Sequence, residues 1–123
     1  MSDNKALAFS IAETLAEHKA GDVVILDVRE IAGWTDYFVI GTSNSSTHLR
    51  GLLRAVEETV ASAGLSPLNK PRVGDDESWV LIDVGDVVVH IMSQTARSFY
   101  ELEKLWFKAP QLKVEARRGD TVE

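Results

Sequence analysis

The stretch Trp79-Val80-Leu81-Ile82-Asp83-Val84-Gly85-Asp86-Val87-Val88-Val89-His90-Ile91-Met92, entered from Ser78, reads as a β-hairpin. Two runs of β-branched residues flank Gly85-Asp86, and glycine first in a two-residue loop suits a type II′ turn. The loop sets the register, and the register sets what each face shows. Val84 then faces Val87, Ile82 faces Val89 and Val80 faces Ile91, which gives one wholly apolar core face. The other face pairs Asp83 with Val88, Leu81 with His90 and Trp79 with Met92. That face is mixed, which is unusual for a surface meant only for water.

Upstream, Leu65 to Asp76 carries Pro67 and Pro71 and holds at most a short edge strand, because proline cannot donate to an inner ladder. Before it, Leu49, Leu52, Leu53, Val56, Val60 and Ala63 form one helical stripe, with Arg50, Arg54, Glu57 and Glu58 off it. The small polar cluster Ser43 to Thr47 supplies a cap, and Gly64 is placed as the C′ residue. Tyr37 to Thr42 is an aromatic and β-branched strand. Val23 to Val28 is a near-continuous apolar run, the pattern of a strand buried on both faces. Trp34-Thr35-Asp36 connects the two.

A first helix is expected from Asn4 to Lys19, with Leu7, Ile11 and Leu15 on its apolar stripe beside Ala8 and Ala12. Ser2 or Asp3 can cap it, and Ala20-Gly21 stops it. Downstream of the hairpin, Thr95 is expected to cap a helix from Ala96 to Phe107 with Phe99, Leu102, Leu105 and Trp106 inward, ended by Lys108-Ala109-Pro110. The elements fit one α/β domain over residues 1–109, followed by a mobile polar tail over 110–123.

A length of 123 residues is a one-domain length, and 45% hydrophobic with 26% charged residues is ordinary for a packed domain. No apolar run reaches the roughly 18 residues of a membrane span. The start has neither an apolar signal core nor Arg-rich transit character. With no cysteine, disulfides, thiolate metal sites and Cys nucleophiles are excluded. The cytoplasm is the expected compartment. The net charge of −6 leaves no visible basic patch for reading nucleic acid and suits a basic protein surface instead.

Ser43, Ser45 and Ser46 lie near His48, yet no G-x-S-x-G elbow is present, and helix capping accounts for them better. His18, His48 and His90 make no zinc-spaced pair, and no metal or cofactor is expected. Gly41-Thr42-Ser43, ending a strand and entering a helix, has the form of a phosphate-holding turn and is like the glycine-serine signature of nucleotidyltransferases. Those enzymes also need an Asp-x-Asp-type pair for Mg²⁺, and the corresponding stretch here, Leu49 to Glu58, is helical and lacks one. Asp27, Asp36, Asp83 and Asp86 sit at strand ends or turns, where a carboxylate caps or is solvated. Among apolar neighbours, Asp83 calls for a partner, either His90 or a cation on another molecule. Trp79 fits either burial beneath a loop or helix, or docking beside Met92 and the acidic run Asp75-Asp76-Glu77.

Two blocks carry a resemblance: Val23 to Arg29 through Thr35-Asp36-Tyr37-Phe38-Val39-Ile40-Gly41-Thr42-Ser43, and Trp79 to His90 followed by Ala96-Arg97-Ser98-Phe99-Tyr100-Glu101-Leu102-Glu103-Lys104-Leu105-Trp106. Over residues 23–109 the chain resembles the ribosomal silencing factor (Iojap-like) family. The resemblance implies a small α/β domain with a mixed sheet flanked by helices, nucleotidyltransferase-like without the catalytic residues. It implies a non-enzymatic protein that binds the large ribosomal subunit through ribosomal protein uL14 and obstructs joining of the small subunit when nutrients are short. A homodimer and a part in ribosome assembly are further implications. Carried over by position, the docking face comprises Trp79, Leu81, Asp83, His90 and Met92, with Tyr100 and Glu103 nearby.

Overall fold

The computed structural model of the chain describes residues 4–67, 72–73, 78–100 and 110–112. Among them run helices α1 (Asn4–Glu17), α2 (Ser46–Ser62) and α3 (Gln94–Tyr100) and strands β1 (Gly21–Asp27), β2 (Tyr37–Ser43), β3 (Arg72–Val73), β4 (Trp79–Asp83), β5 (Val87–Ser93) and β6 (Gln111–Leu112). The strands form one sheet in the order β3-β4-β5-β2-β1-β6. Only β2 and β5 are parallel; the other neighbours are antiparallel, so the sheet is mixed.

The period of two in each strand divides the sheet into two faces. Ile25, Tyr37, Val39, Val80, Ile82, Val87, Val89 and Ile91 point to one face, where they pack with Ile11 and Leu15 of α1 and Leu49, Leu52, Val56 and Val60 of α2. Leu26, Phe38, Ile40, Val88 and Met92 point to the other, with Ala96 of α3 and Val28 completing a second, smaller cluster. Between α1 and α2 the Thr14 and Thr59 hydroxyls meet at 2.7 Å. Gly41 has a packing reason: a Cβ there would stand 3.1 Å from Leu15 Cδ1 and 3.3 Å from Ala20 Cβ, so any side chain would press these neighbours a few tenths of an ångström away from β2.

The hairpin follows its predicted register. Trp79 lies opposite Met92, Val80 opposite Ile91, Leu81 opposite His90, Ile82 opposite Val89 and Asp83 opposite Val88. Val84 N–H donates to the Val87 carbonyl at 2.9 Å, and Gly85 takes a φ of 99° that a residue with Cβ avoids. β3 is the short edge strand expected of the proline-bearing segment.

Four expectations are corrected. The helix α1 ends at Glu17 rather than Lys19 and closes in a Schellman motif: Ala20 N–H donates to the Leu15 carbonyl, Lys19 N–H to the Ala16 carbonyl, and Lys19 itself takes the left-handed conformation with φ 69°. The strand β1 begins two residues before the expected run, at exposed Gly21 and Asp22, and Val23 and Val24 are half-buried where Ile25 and Leu26 are fully buried. The cap of α3 is Ser93, not Thr95: its Oγ accepts from Ala96 N–H at 3.0 Å, the helix begins at Gln94, and Ala96 rather than Phe99 packs on the sheet. Phe99 is 77% exposed. Finally, residues 110–112 are not tail. Gln111 and Leu112 pair with Leu26 and Ile25, and Asp27 N–H donates to the Pro110 carbonyl at 2.9 Å, which covers an edge β1 would otherwise leave open. Leu102, Leu105, Trp106 and the stretch 113–123 lie outside the described residues.

Candidate functional site

The mixed hairpin face joins a row of rings that crosses three strands and a loop. Trp79 on β4 donates from Nε1 to His90 Nδ1 on β5 at 3.2 Å, their rings 5.9 Å apart. His90 meets the Phe38 ring of β2 edge-on at 5.0 Å, and Phe38 in turn lies 5.9 Å from Trp34 in the β1–β2 loop. The register places the first three rings side by side, since His90 is level with Leu81 on β4 and with Ile40, two residues from Phe38, on β2.

Exposure grades along this row. Met92 is fully buried, His90 and Phe38 nearly so, Trp79, Leu81 and Asp83 are half-buried, and Trp34 is 59% exposed. His90 and Met92, expected to face outward, are therefore the floor of this face, because Ala96 and the neighbouring strands close over them. Asp83 does not pair with His90; its Oδ1 accepts from Gly85 N–H at 2.9 Å and tightens the turn. Tyr100 ends α3, and Glu103 lies outside the described residues. Trp34 was legible only as a connection, since a lone aromatic in a loop follows no period. Ile31, 44% exposed in the same loop, was missed for the same reason.

His90 is electrically constrained. Accepting at Nδ1 places its proton on Nε2, which is buried without a hydrogen-bond partner among the described residues. Burial lowers its pKa from 6.5 to about 4, so the ring is neutral at physiological pH. At the carboxyl end of β1, Arg29 grips Asp27 through Nε at 2.9 Å and Nη2 at 2.7 Å and holds that carboxyl below the usual carboxylate range. Arg29 also stands 5.5 Å over the Tyr37 ring.

The serines beside His48 serve the helix. Ser45 is the N-cap of α2, its Oγ accepting from His48 N–H at 3.0 Å. The His48 ring accepts at Nδ1 from Asn44 N–H and donates at Nε2 to the His18 carbonyl at 2.8 Å, so both nitrogens hold backbone groups together. His18 turns back to the Thr14 carbonyl of its own helix. The rings of the three histidines thus serve different partners. Among the described residues no helix is long and apolar enough to cross a membrane.

Comparison with known proteins agrees with this architecture. The family model described as "Ribosomal silencing factor during starvation" matches residues 1–122. The ribosomal silencing factor of Treponema pallidum is 39% identical over 107 residues, 86% of this chain and 94% of that protein. The mouse protein named mitochondrial assembly of ribosomal large subunit protein 1 is 32% identical over 98 residues, 78% of this chain and 43% of that protein. A crystal structure of a Chromobacterium violaceum protein superposes with a TM-score of 0.80 at 26% identity, covering 98% of this chain and all of the other. The family match spans nearly the whole chain, and the chain belongs to the ribosomal silencing factor family.

Proposed function

We propose that the chain is a non-catalytic, cytoplasmic repressor of translation that binds the large ribosomal subunit through ribosomal protein uL14 and blocks association with the small subunit under nutrient limitation. The ring row carries the reading. Its outer members, Trp34 and Trp79, present indole surface on a rigid base of buried Phe38, His90 and Met92, the arrangement of an aromatic anchor in an interface. A face of this kind on a 123-residue chain can fill an interface of about 800 Å² per partner, enough to obstruct a second body sterically. Leu81 and Asp83 flank the row, Tyr100 ends α3, and Glu103 completes the proposed docking residues. The names of relatives add weight, since one is a factor of large-subunit assembly, and a part in assembly and a homodimeric state belong to the same reading.

Co-sedimentation with isolated subunits tests it. The chain is expected to pellet with large subunits, to be displaced by free uL14, and to remain in the supernatant with small subunits. Association with small subunits alone would overturn the reading.

A further inference from the structure

Trp79 and His90 share one face of the β4–β5 hairpin but do not lie opposite one another. Trp79 is level with Met92, and Leu81 with His90, so the two rings meet on a diagonal that a long aromatic side chain can span. The contact is specific in its atoms. Indole Nε1, the one polar atom of the Trp79 side chain, donates to His90 Nδ1 at 3.2 Å, with the ring planes inclined at 51°. From β2, the Phe38 ring meets the imidazole at 70° and braces its plane.

Histidine is an unfavourable residue for this place. Its ring is 6% exposed and stands level with Ile40 on one side and Leu81 on the other. The acceptor role of Nδ1 puts the proton on Nε2, where it is buried without a hydrogen-bond partner, at a cost in stability that leucine or phenylalanine would avoid. Burial keeps the ring neutral and so leaves the Nδ1 lone pair available. That lone pair is what imidazole offers and an apolar side chain does not, and Trp79 takes it. His90 itself presents almost nothing to another molecule. Trp79 is half-buried, and with its N–H turned inward the surface it shows is carbon.

We propose, resting on the docking reading given above, that His90 is a positioning residue of that face. It touches no partner but holds the Trp79 indole in one orientation, ring carbons outward, for an apolar recess on the partner. An indole already held in this way enters such a recess without giving up rotamer freedom at the moment of binding.

The test is a double-substitution cycle on the whole chain, read as affinity for isolated large subunits. His90→Leu and His90→Phe each remove the acceptor and leave an apolar side chain suited to a buried place. Using both keeps a packing fault in one from deciding the outcome, and thermal unfolding checks that each is folded. Either should weaken binding about tenfold, the ordinary contribution of one hydrogen bond. In a Trp79→Ala background the same changes should have no further effect, because His90 acts through Trp79. The nitrogen-15-labelled indole N–H of Trp79, assigned by its loss in Trp79→Ala, should exchange with solvent about tenfold faster in the free His90 variants. Folded variants that bind as well as the native chain, or that lose equal affinity with and without Trp79, overturn the positioning role alone, as does unchanged indole exchange. A native chain that fails to bind large subunits overturns the docking reading and the positioning role with it.

Discussion

Lys19 and Gly64 occupy the same position in two Schellman motifs, and only one of them suits it. Gly64, φ 82°, closes α2 with Leu65 N–H on the Val60 carbonyl and its own N–H on the Ala61 carbonyl. Lys19 does the same for α1 with a side chain that makes left-handed backbone costly. Lys19→Gly should therefore stabilise the fold by about 0.5–1 kcal/mol, and Gly64→Ala should destabilise it by about 1 kcal/mol, read by urea unfolding. Helix ends of this kind were half legible: glycine announces the second, whereas Lys19 is chosen by the bond from Ala20 to Leu15 and carries no local signal. His90 gives the residue scale its pH dependence. Its folded pKa of about 4 lies below the 6.5 of an unhindered ring, so between these values the unfolded chain takes up a proton that the native chain refuses. Stability is then fully present above pH 6.5 and falls as the pH drops toward 4, by roughly 3 kcal/mol from this group. The slope between pH 6.5 and 4.5 should flatten in His90→Leu; an identical slope would show that His90 is not buried neutral.

At the scale of elements, the hairpin was legible almost to the residue because a two-residue loop leaves one register. What the register could not show was which face the rest of the fold would close. Met92 and His90 read as outward in a lone hairpin, and they become floor only because β2 and Ala96 pack beside and above them. β6 was invisible for a related reason: a two-residue strand has no period, and it exists because β1 has an edge to cover. Under the proposed function the two faces separate folding from docking. Ile82, fully buried on the first face, should cost about 2–5 kcal/mol of stability when changed to Ala. Trp79→Ala also loses the donor to His90, yet its half-buried place should leave the chain folded and less destabilised than Ile82→Ala, while weakening attachment to large subunits by about 2 kcal/mol or more. Thermal unfolding and binding measured on both variants decide it. Equal unfolding by the two would make Trp79 a core residue and remove it from the docking face.

For the whole molecule, the hallmark blocks fix the family, and the family match across residues 1–122 agrees with them. The proposed docking surface is less directly written, because it is assembled from a loop residue, Trp34, and three strands that meet only in the folded sheet. Trp34 offers the cleanest probe of that assembly. Being 59% exposed, it should change stability by no more than about 0.5 kcal/mol when replaced by Ala. The most direct measurement is subunit joining followed by light scattering while the chain is titrated against a fixed amount of large subunit. The native chain is predicted to halt joining near one copy per large subunit, and Trp34→Ala, equally well folded, to need at least about ten times more. Joining that proceeds undiminished at saturating native chain would contradict the account.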